Sequence, residues 1–274
     1  MSSVDVPLLA GILRQAAQRE ILPRFRRLDE GMVRQKSEAI DLVTEADEEA
    51  ERFIKAEVEK LMPDALFVGE ESVAQHPQLL DALNEAPLAV VVDPVDGTAN
   101  FAAGLPLFAV MAAVVRNGET VAGIIYDPMG DDFFMAEKGS GAWMRFPDSD
   151  RDIRLAVAKP LPLDEMVGTV SIAFMPMANK PQILANLAKV RVAANYRVAG
   201  HDYRLFASGH TQFVAFNKLM PWDHLAGVLI AQEAGGYAAR FDGSPYLPVH
   251  RDGGLLLATD ESSWKLLRRE VFTV

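Results

Sequence analysis

Val90-Val91-Val92-Asp93-Pro94-Val95-Asp96-Gly97-Thr98-Ala99-Asn100-Phe101 joins an apolar run to a cluster of turn residues. From Leu88 the run is unbroken and β-branched, the pattern of a strand buried on both faces, and Pro87 bounds it. It stops at an acid. Pro94 has no N–H to continue a ladder, and Asp96-Gly97-Thr98 reads as a turn that opens a helix. Two carboxylates thus stand three residues apart at the mouth of a buried strand. Such a pair repels by roughly 4 kcal/mol at ~4 Å and an effective dielectric of about 20, a cost that a hard cation offsets. The Gly97-Thr98 amides at a helix start suit a phosphate. Asp-Pro and Asp-Gly are also ordinary turn dipeptides, and Asp96 could simply cap a helix, so other acids must decide between the readings.

Working outward, 274 residues suffice for a sizeable core, in one large domain or two smaller ones. Half of them are apolar and about a quarter charged, which excludes a disordered chain. A net charge of −11 argues against direct nucleic acid binding, which draws on Lys and Arg neutralising phosphates. The absence of cysteine removes disulfides, thiolate metal sites and a Cys nucleophile. The start, Met1 to Asp5, lacks a basic segment followed by an apolar core. No apolar run approaches the ~18 residues of a membrane span, so a cytoplasmic protein with no membrane partner is expected.

Upstream, apolar residues from Val6 to Leu28 recur at helical spacing, with Gly31 as a stop. Arg34 to Glu38 is polar and reads as a loop or hairpin arm, carrying Lys36 as a cation that could lean over an anion. Asp41-Leu42-Val43-Thr44-Glu45-Ala46-Asp47 leads into a second helix, where Thr44 and Asp47 have capping-box spacing. Ala65 to Gly69 is a short strand that runs into Glu70-Glu71-Ser72, and paired glutamates are unusual in a plain turn.

Downstream, Phe108–Val115 and Thr120–Tyr126 flank Asn117-Gly118, a strong hairpin signal, and Phe133–Ala136 and Ala142–Met144 repeat the pattern. The polar break 147–150 marks a division into residues 1–147 and 148–274. Beyond it, strands at Ile153–Val157, Val167–Ile172, Val190–Ala193 and Phe213–Phe216 alternate with helical patterns, which predicts a smaller α/β layer. Pro221-Trp222-Asp223 opens an apolar helix closed by Gly235-Gly236; taken alone, Asp223 reads as its N-cap. Strands near Tyr237 and Leu255 and a helix over 262–271 complete the pattern.

Glu70, Asp93, Asp96 and Asp223 all fall at ends of elements, where a buried framework can turn them into one cleft. An all-oxygen set without thiolates favours Mg²⁺ shared with a substrate phosphate. Phosphate monoesters hydrolyse slowly enough that metal-activated water fits the demand, and Asp47 with Thr98 could take the proton. A two-carboxylate glycosidase is the weaker chemistry, since its acids must differ in pKa rather than share ions.

These residues resemble the inositol monophosphatase family. Asp93-Pro94-Val95-Asp96-Gly97-Thr98 with Asn100-Phe101 is similar to its first motif, and Trp222-Asp223 with Ala226-Gly227 and Gly235-Gly236 to its second. Asp41 to Asp47 and Gly69-Glu70-Glu71-Ser72 match two further landmarks. The resemblance implies an α+β fold, a layered αβαβα sandwich of the sugar-phosphatase type with the antiparallel sheet in the first half. It also implies a Mg²⁺-dependent, lithium-sensitive phosphatase, usually a homodimer, with two or three ions per site. By position, Glu70, Asp93 and the Val95 carbonyl would hold one ion, and Asp93, Asp96 and Asp223 a second. Asp47, Thr98 and Glu70 would serve catalysis. Asp96, Gly97, Thr98, Ala99 and Asp223 would meet the substrate, with Glu71 and Lys36 in support.

Inositol-selective members carry a glutamate where this chain has Phe216, and Gly followed by Ser or Thr where it has Arg197-Val198. The alcohol therefore stays open among inositol monophosphate, a related polyol or sugar phosphate, histidinol phosphate, fructose 1,6-bisphosphate and a 3′-phosphonucleotide. A regulator with a protein partner is the other class.

Overall fold

The computed structural model describes residues 5–28, 31–35, 42–149 and 151–273. Chain order begins with helix α1 (Val6–Ala16), capped by the Asp5 carboxylate, which accepts from the Leu8 amide at 3.0 Å. The long first helix expected to Leu28 ends early. At Ala17–Ile21 it loosens into a π turn, closed by Leu22 N–H on the Ala17 carbonyl at 2.8 Å, and Arg26 then takes a left-handed conformation with φ +59°. Strands β1 (Val33–Gln35) and β2 (Leu42–Thr44) pair antiparallel as the two arms of a ribbon. Helix α2 (Glu45–Leu61) follows directly, with the expected Thr44–Asp47 capping box in place.

Strand β3 (Leu66–Gly69) leads into helices α3 (Glu70–Gln75) and α4 (Leu79–Glu85), and then into β4 (Leu88–Asp96) and the short helix α5 (Thr98–Ala102). Four antiparallel strands, β5 (Ala109–Arg116), β6 (Glu119–Asp127), β7 (Asp132–Glu137) and β8 (Gly141–Arg145), extend this sheet. Asn117 and Gly118 both have positive φ, +49° and +76°, as a hairpin turn matched to strand twist requires. The last strand, β9 (Asp152–Arg154), pairs with β8. The strand expected at Ile153–Val157 as the start of the second layer is therefore the edge of the first sheet, and the polar residues 147–149 lie between its last two strands. The order is β3-β4-β5-β6-β7-β8-β9, with only β3 and β4 parallel.

The second sheet has the order β11-β10-β12-β14-β13, where β10 is Val167–Val170, β11 Val192–Ala194, β12 Phe213–Phe216, β13 Tyr237–Arg240 and β14 Leu255–Ala258. Its helices are α6 (Lys180–Asn186), α7 (Ala199–Ala207), α8 (Pro221–Glu233) and α9 (Glu261–Glu270).

Side-chain alternation builds the layers. Val90, Val92 and Val95 of β4 pack with Leu9, Leu13 and Ile54 of α1 and α2, whereas Ala89 and Val91 join Leu225, Leu229 and Ile230 of α8. In the second sheet Val214, Leu255 and Leu257 face α8, while Phe213, Leu256 and Ala258 pack on Trp264 and Leu267 of α9. Helix α8 is thus covered on both sides, which explains why its sequence is apolar nearly all round. The result is an αβαβα sandwich.

Candidate active site

Strand β4 does not end at Asp93 as its sequence suggests; it continues to Asp96 across a bulge. Asp93 pairs with Met111 and Asp96 with Ala109, so one extra residue stands on the β4 side, where Pro94 has no N–H to offer. The bulge frees the Asp93 carboxylate to accept from Val95 N–H at 3.0 Å. Because β3 runs parallel to β4, with Gly69 opposite Val92, Glu70 leaves its strand at the same sheet edge as Asp93. Asp223 comes from the first turn of α8.

One carboxylate oxygen from each of Asp93, Asp96 and Asp223 lies within 4.8 Å of the others. Asp93 and Asp96 are buried and Asp223 is partly exposed to the cleft. Desolvation, then the charges of Glu70, Asp96 and Asp223, hold the Asp93 carboxyl well above the usual range. Desolvation pushes Asp96 up to about 7, and it lifts Asp223 to about 8, with Glu70 and Asp96 adding to the latter. Three acids so placed are short of positive charge, and their oxygen-only donor set fits a hard divalent cation.

The cap readings of Asp96 and Asp223 do not hold. The residue that caps α5 is Gly97, at φ +86°, and Met220 occupies the cap of α8. Asp96 does meet a helix start, but a distant one: its carboxylate accepts from the Ala199 and Gly200 amides of α7, at 3.0 and 2.5 Å. Gly97 is confined as well as left-handed, since a Cβ there would lie 3.0 Å from the Leu107 carbonyl and 3.1 Å from Val198.

Thr98 Oγ1 lies 3.0 Å from Asp47 Oδ1 and 2.9 Å from the Val95 carbonyl, and it can donate to either. The other Asp47 oxygen accepts from Thr44 N–H at 2.9 Å and the Thr44 hydroxyl at 2.5 Å, so the capping box that starts α2 also fixes this carboxylate. Asp47 is fully buried and reaches the cleft through Thr98. Glu70, Asp93, Val95, Asp96, Gly97, Thr98, Ala99 and Asp223 all line that cleft. Glu71 is buried, outside the lining, and its amide is held elsewhere; Lys36 lies outside the described residues.

The sequence reading missed Glu51. Buried on α2, it accepts from the Glu71 and Ser72 amides, each at 2.7 Å, and from the Ser72 hydroxyl at 2.5 Å, clamping the start of α3 beside Glu70. A Cβ on Gly69 would sit 2.2 Å from the Glu51 carboxyl carbon. The available signal was its register, four residues after Asp47 and in phase with buried Ile54 and Val58. His224 carries no ligand role. The Lys218 carbonyl takes its Nε2–H at 2.8 Å, which leaves Nδ1 to accept from the Tyr203 hydroxyl at 2.9 Å, and burial lowers its pKa to about 4.

The profile of the inositol monophosphatase family matches residues 7–271. The chain belongs to the inositol monophosphatase family. It is 33% identical over 235 residues to the inositol-1-monophosphatase of Mesorhizobium japonicum, covering 84% of this chain and 83% of that one. It is 31% identical to a protein of Xylella fastidiosa named Nus factor SuhB, over 84% and 80% of the two chains. The crystal structure of the extragenic suppressor protein suhB from Bartonella henselae superposes with a TM-score of 0.81 at 30% identity, over 96% of this chain and 98% of that one. The family's fold is the α+β sandwich described above.

Proposed function

We propose that this inositol monophosphatase family member is a Mg²⁺-dependent phosphomonoesterase acting on inositol monophosphate or a related small polyol or sugar phosphate. The observation that carries the reading is the convergence of Asp93, Asp96 and Asp223 in one cleft with Glu70 and the Asp47–Thr98 pair. Glu70, Asp93 and the Val95 carbonyl would hold one ion, and Asp93, Asp96 and Asp223 another. When bound, the ions supply a lowered pKa for the attacking water and charge stabilisation for the phosphoryl and leaving oxygens. Asp47 orients the Thr98 hydroxyl, so that a water against Thr98 Oγ1 gives up its proton along that pair as it attacks phosphorus, while the ester P–O bond breaks and the departing alcohol oxygen takes a proton from solvent. The amides of Gly97, Thr98 and Ala99 bind the phosphate oxygens. Residues 1–147 carry most of this set, and 148–274 contribute Asp223 and the wall that meets the alcohol.

Cytoplasmic location, a homodimer and lithium sensitivity belong to the same reading. Among the described residues no helix is long and apolar enough to cross a membrane. Purified protein should release inorganic phosphate from inositol 1-phosphate or a sugar phosphate with Mg²⁺ and stop in excess chelator; no release from any ester of such a panel defeats the proposal. Similarity to a protein named as a Nus factor favours a second reading, a regulator with a protein partner. Asp96→Asn separates the two, since a regulatory phenotype would survive it and a catalytic one would not.

A further inference from the structure

Two cations line the cleft that holds the acids, Arg197 and Lys218. They come from separate segments, Arg197 from the turn before α7 and Lys218 from two residues past the end of β12. Among the described residues neither makes an ion pair. Their placement is specific. Arg197 takes a left-handed φ of +59°, a conformation that L side chains rarely adopt, with its N–H donating to Asn195 Oδ1 at 3.1 Å. Two and three residues on, the Ala199 and Gly200 amides grip Asp96, so the turn that presents Arg197 is fastened to the acid cluster itself. The Lys218 ammonium stands 4.7 Å from the centre of the Phe174 ring, itself a half-exposed residue of the cleft wall. Phe216, two residues before Lys218, lines the same wall with an aromatic face where a carboxylate would repel an anion.

Lys218 is held on an aromatic ring of the same cleft, and Arg197, in a strained backbone position, makes no ion pair among the described residues. Nor does Arg197 serve as counter-ion to the floor of the cleft: the Asp96 carboxylate is held by amides, and the cation acting on Asp223 is Lys218.

We propose that Arg197 and Lys218 form an anion subsite at the mouth of the cleft, and that the substrate is a small alcohol phosphate bearing a second anionic group, a carboxylate or another phosphate. The inference rests on the phosphatase reading above and narrows it. Guanidinium and ammonium recognise both anions by charge-assisted hydrogen bonds, with Arg able to bind two oxygens at once.

Two matched substrate pairs test it in the Mg²⁺-loaded protein: glycerol 3-phosphate against 3-phosphoglycerate for the carboxylate, and fructose 1-phosphate against fructose 1,6-bisphosphate for the phosphate. At least one doubly anionic member should exceed its partner in kcat/KM by about tenfold or more, with most of the gain in KM. In Arg197→Gly, which also relieves the left-handed backbone, and in Lys218→Met, that ratio should collapse about tenfold, while Lys218→Arg keeps it. The pair that responds identifies the anion. Hydrolysis of the singly anionic esters with no gain from the second anion in either pair overturns the subsite and leaves the phosphatase reading standing. A ratio unchanged in both Arg197→Gly and Lys218→Met also overturns it. Failure to hydrolyse any ester refutes the phosphatase reading, and the subsite with it.

Discussion

Replacing Asp223 with Asn should stabilise the metal-free protein while removing its response to Mg²⁺. The folded chain holds the Asp223 proton up to about pH 8, because the carboxyl is desolvated and faces Glu70 and Asp96, whereas an unfolded aspartate loses it near 3.8. At pH 7 the unfolded state is therefore ionised and the folded state is not. At about 1.4 kcal/mol per pH unit between 3.8 and 7, this group alone costs the fold up to ~4 kcal/mol. The sign follows from proton counting: between about pH 4 and pH 8 the native state binds more protons, so metal-free stability falls as pH rises through that window. Asp96 acts in the same sense up to about 7. An asparagine amide carries no charge and can donate to Asp93, so about half of the cost, ~2 kcal/mol, should be recovered, raising the melting temperature by about 4–8 °C. Calorimetry in chelator at pH 7 and pH 4 measures it: the gain should be present at pH 7 and largely gone at pH 4, close to the value near 3.8 below which the unfolded aspartate also keeps its proton. Added Mg²⁺ should raise the melting temperature of the wild type and not that of Asp223→Asn. If the variant melts at or below the wild type at pH 7 in chelator, the electrostatic account of the cluster is wrong.

Thr98→Ala should lower kcat by about 10²-fold or more while the thermal shift with Mg²⁺ persists, since in the proposed mechanism the hydroxyl handles a proton and only the acids and the Val95 carbonyl hold the ions; an equal loss of the thermal shift would make Thr98 a ligand instead. Glu51→Gln keeps the size of the side chain but loses an acceptor for the Glu71 and Ser72 amides, and should weaken Mg²⁺ binding about tenfold with the circular dichroism spectrum unchanged. Gly69→Ala pushes a methyl onto the Glu51 carboxylate and should destabilise the protein by about 1–3 kcal/mol in urea titration, a cost that Glu51→Ala in the same chain should relieve.

The parts of this fold that were legible in the sequence are those specified locally. Asn117-Gly118 announces its hairpin because only residues tolerant of positive φ fit the turn, and the apolar run of β4 reads as a buried strand because both its faces are covered. The π turn at Ala17–Ile21 was illegible: apolar spacing of three and four continues through it, and a single wider turn hardly disturbs that pattern. The strand predicted at Ile153–Val157 for the second layer lies in the first sheet, at Asp152–Arg154, because a polar break marks a surface loop, whether it joins neighbouring strands or separate sheets.

The site divides along the same line, and for one physical reason. Each acid announces itself where a strand or helix ends, so Glu70, Asp93, Asp96 and Asp223 were readable one at a time. What fixes them is remote: Asp96 is held by amides 103 and 104 residues away, and the Glu70 turn by a carboxylate about 20 residues earlier. Helix α2 is where these distances close. Asp47 and Glu51 lie one turn apart on it; the first holds the Thr98 hydroxyl and the second the start of α3, so a single rigid element sets Asp47 and Glu70 relative to each other. Four acids that repel one another would drift apart on mobile loops. Here the bulge in β4, the α7 amides and the α2 clamp hold them together against that repulsion, which is the arrangement a cation-binding site requires and a set of helix caps does not.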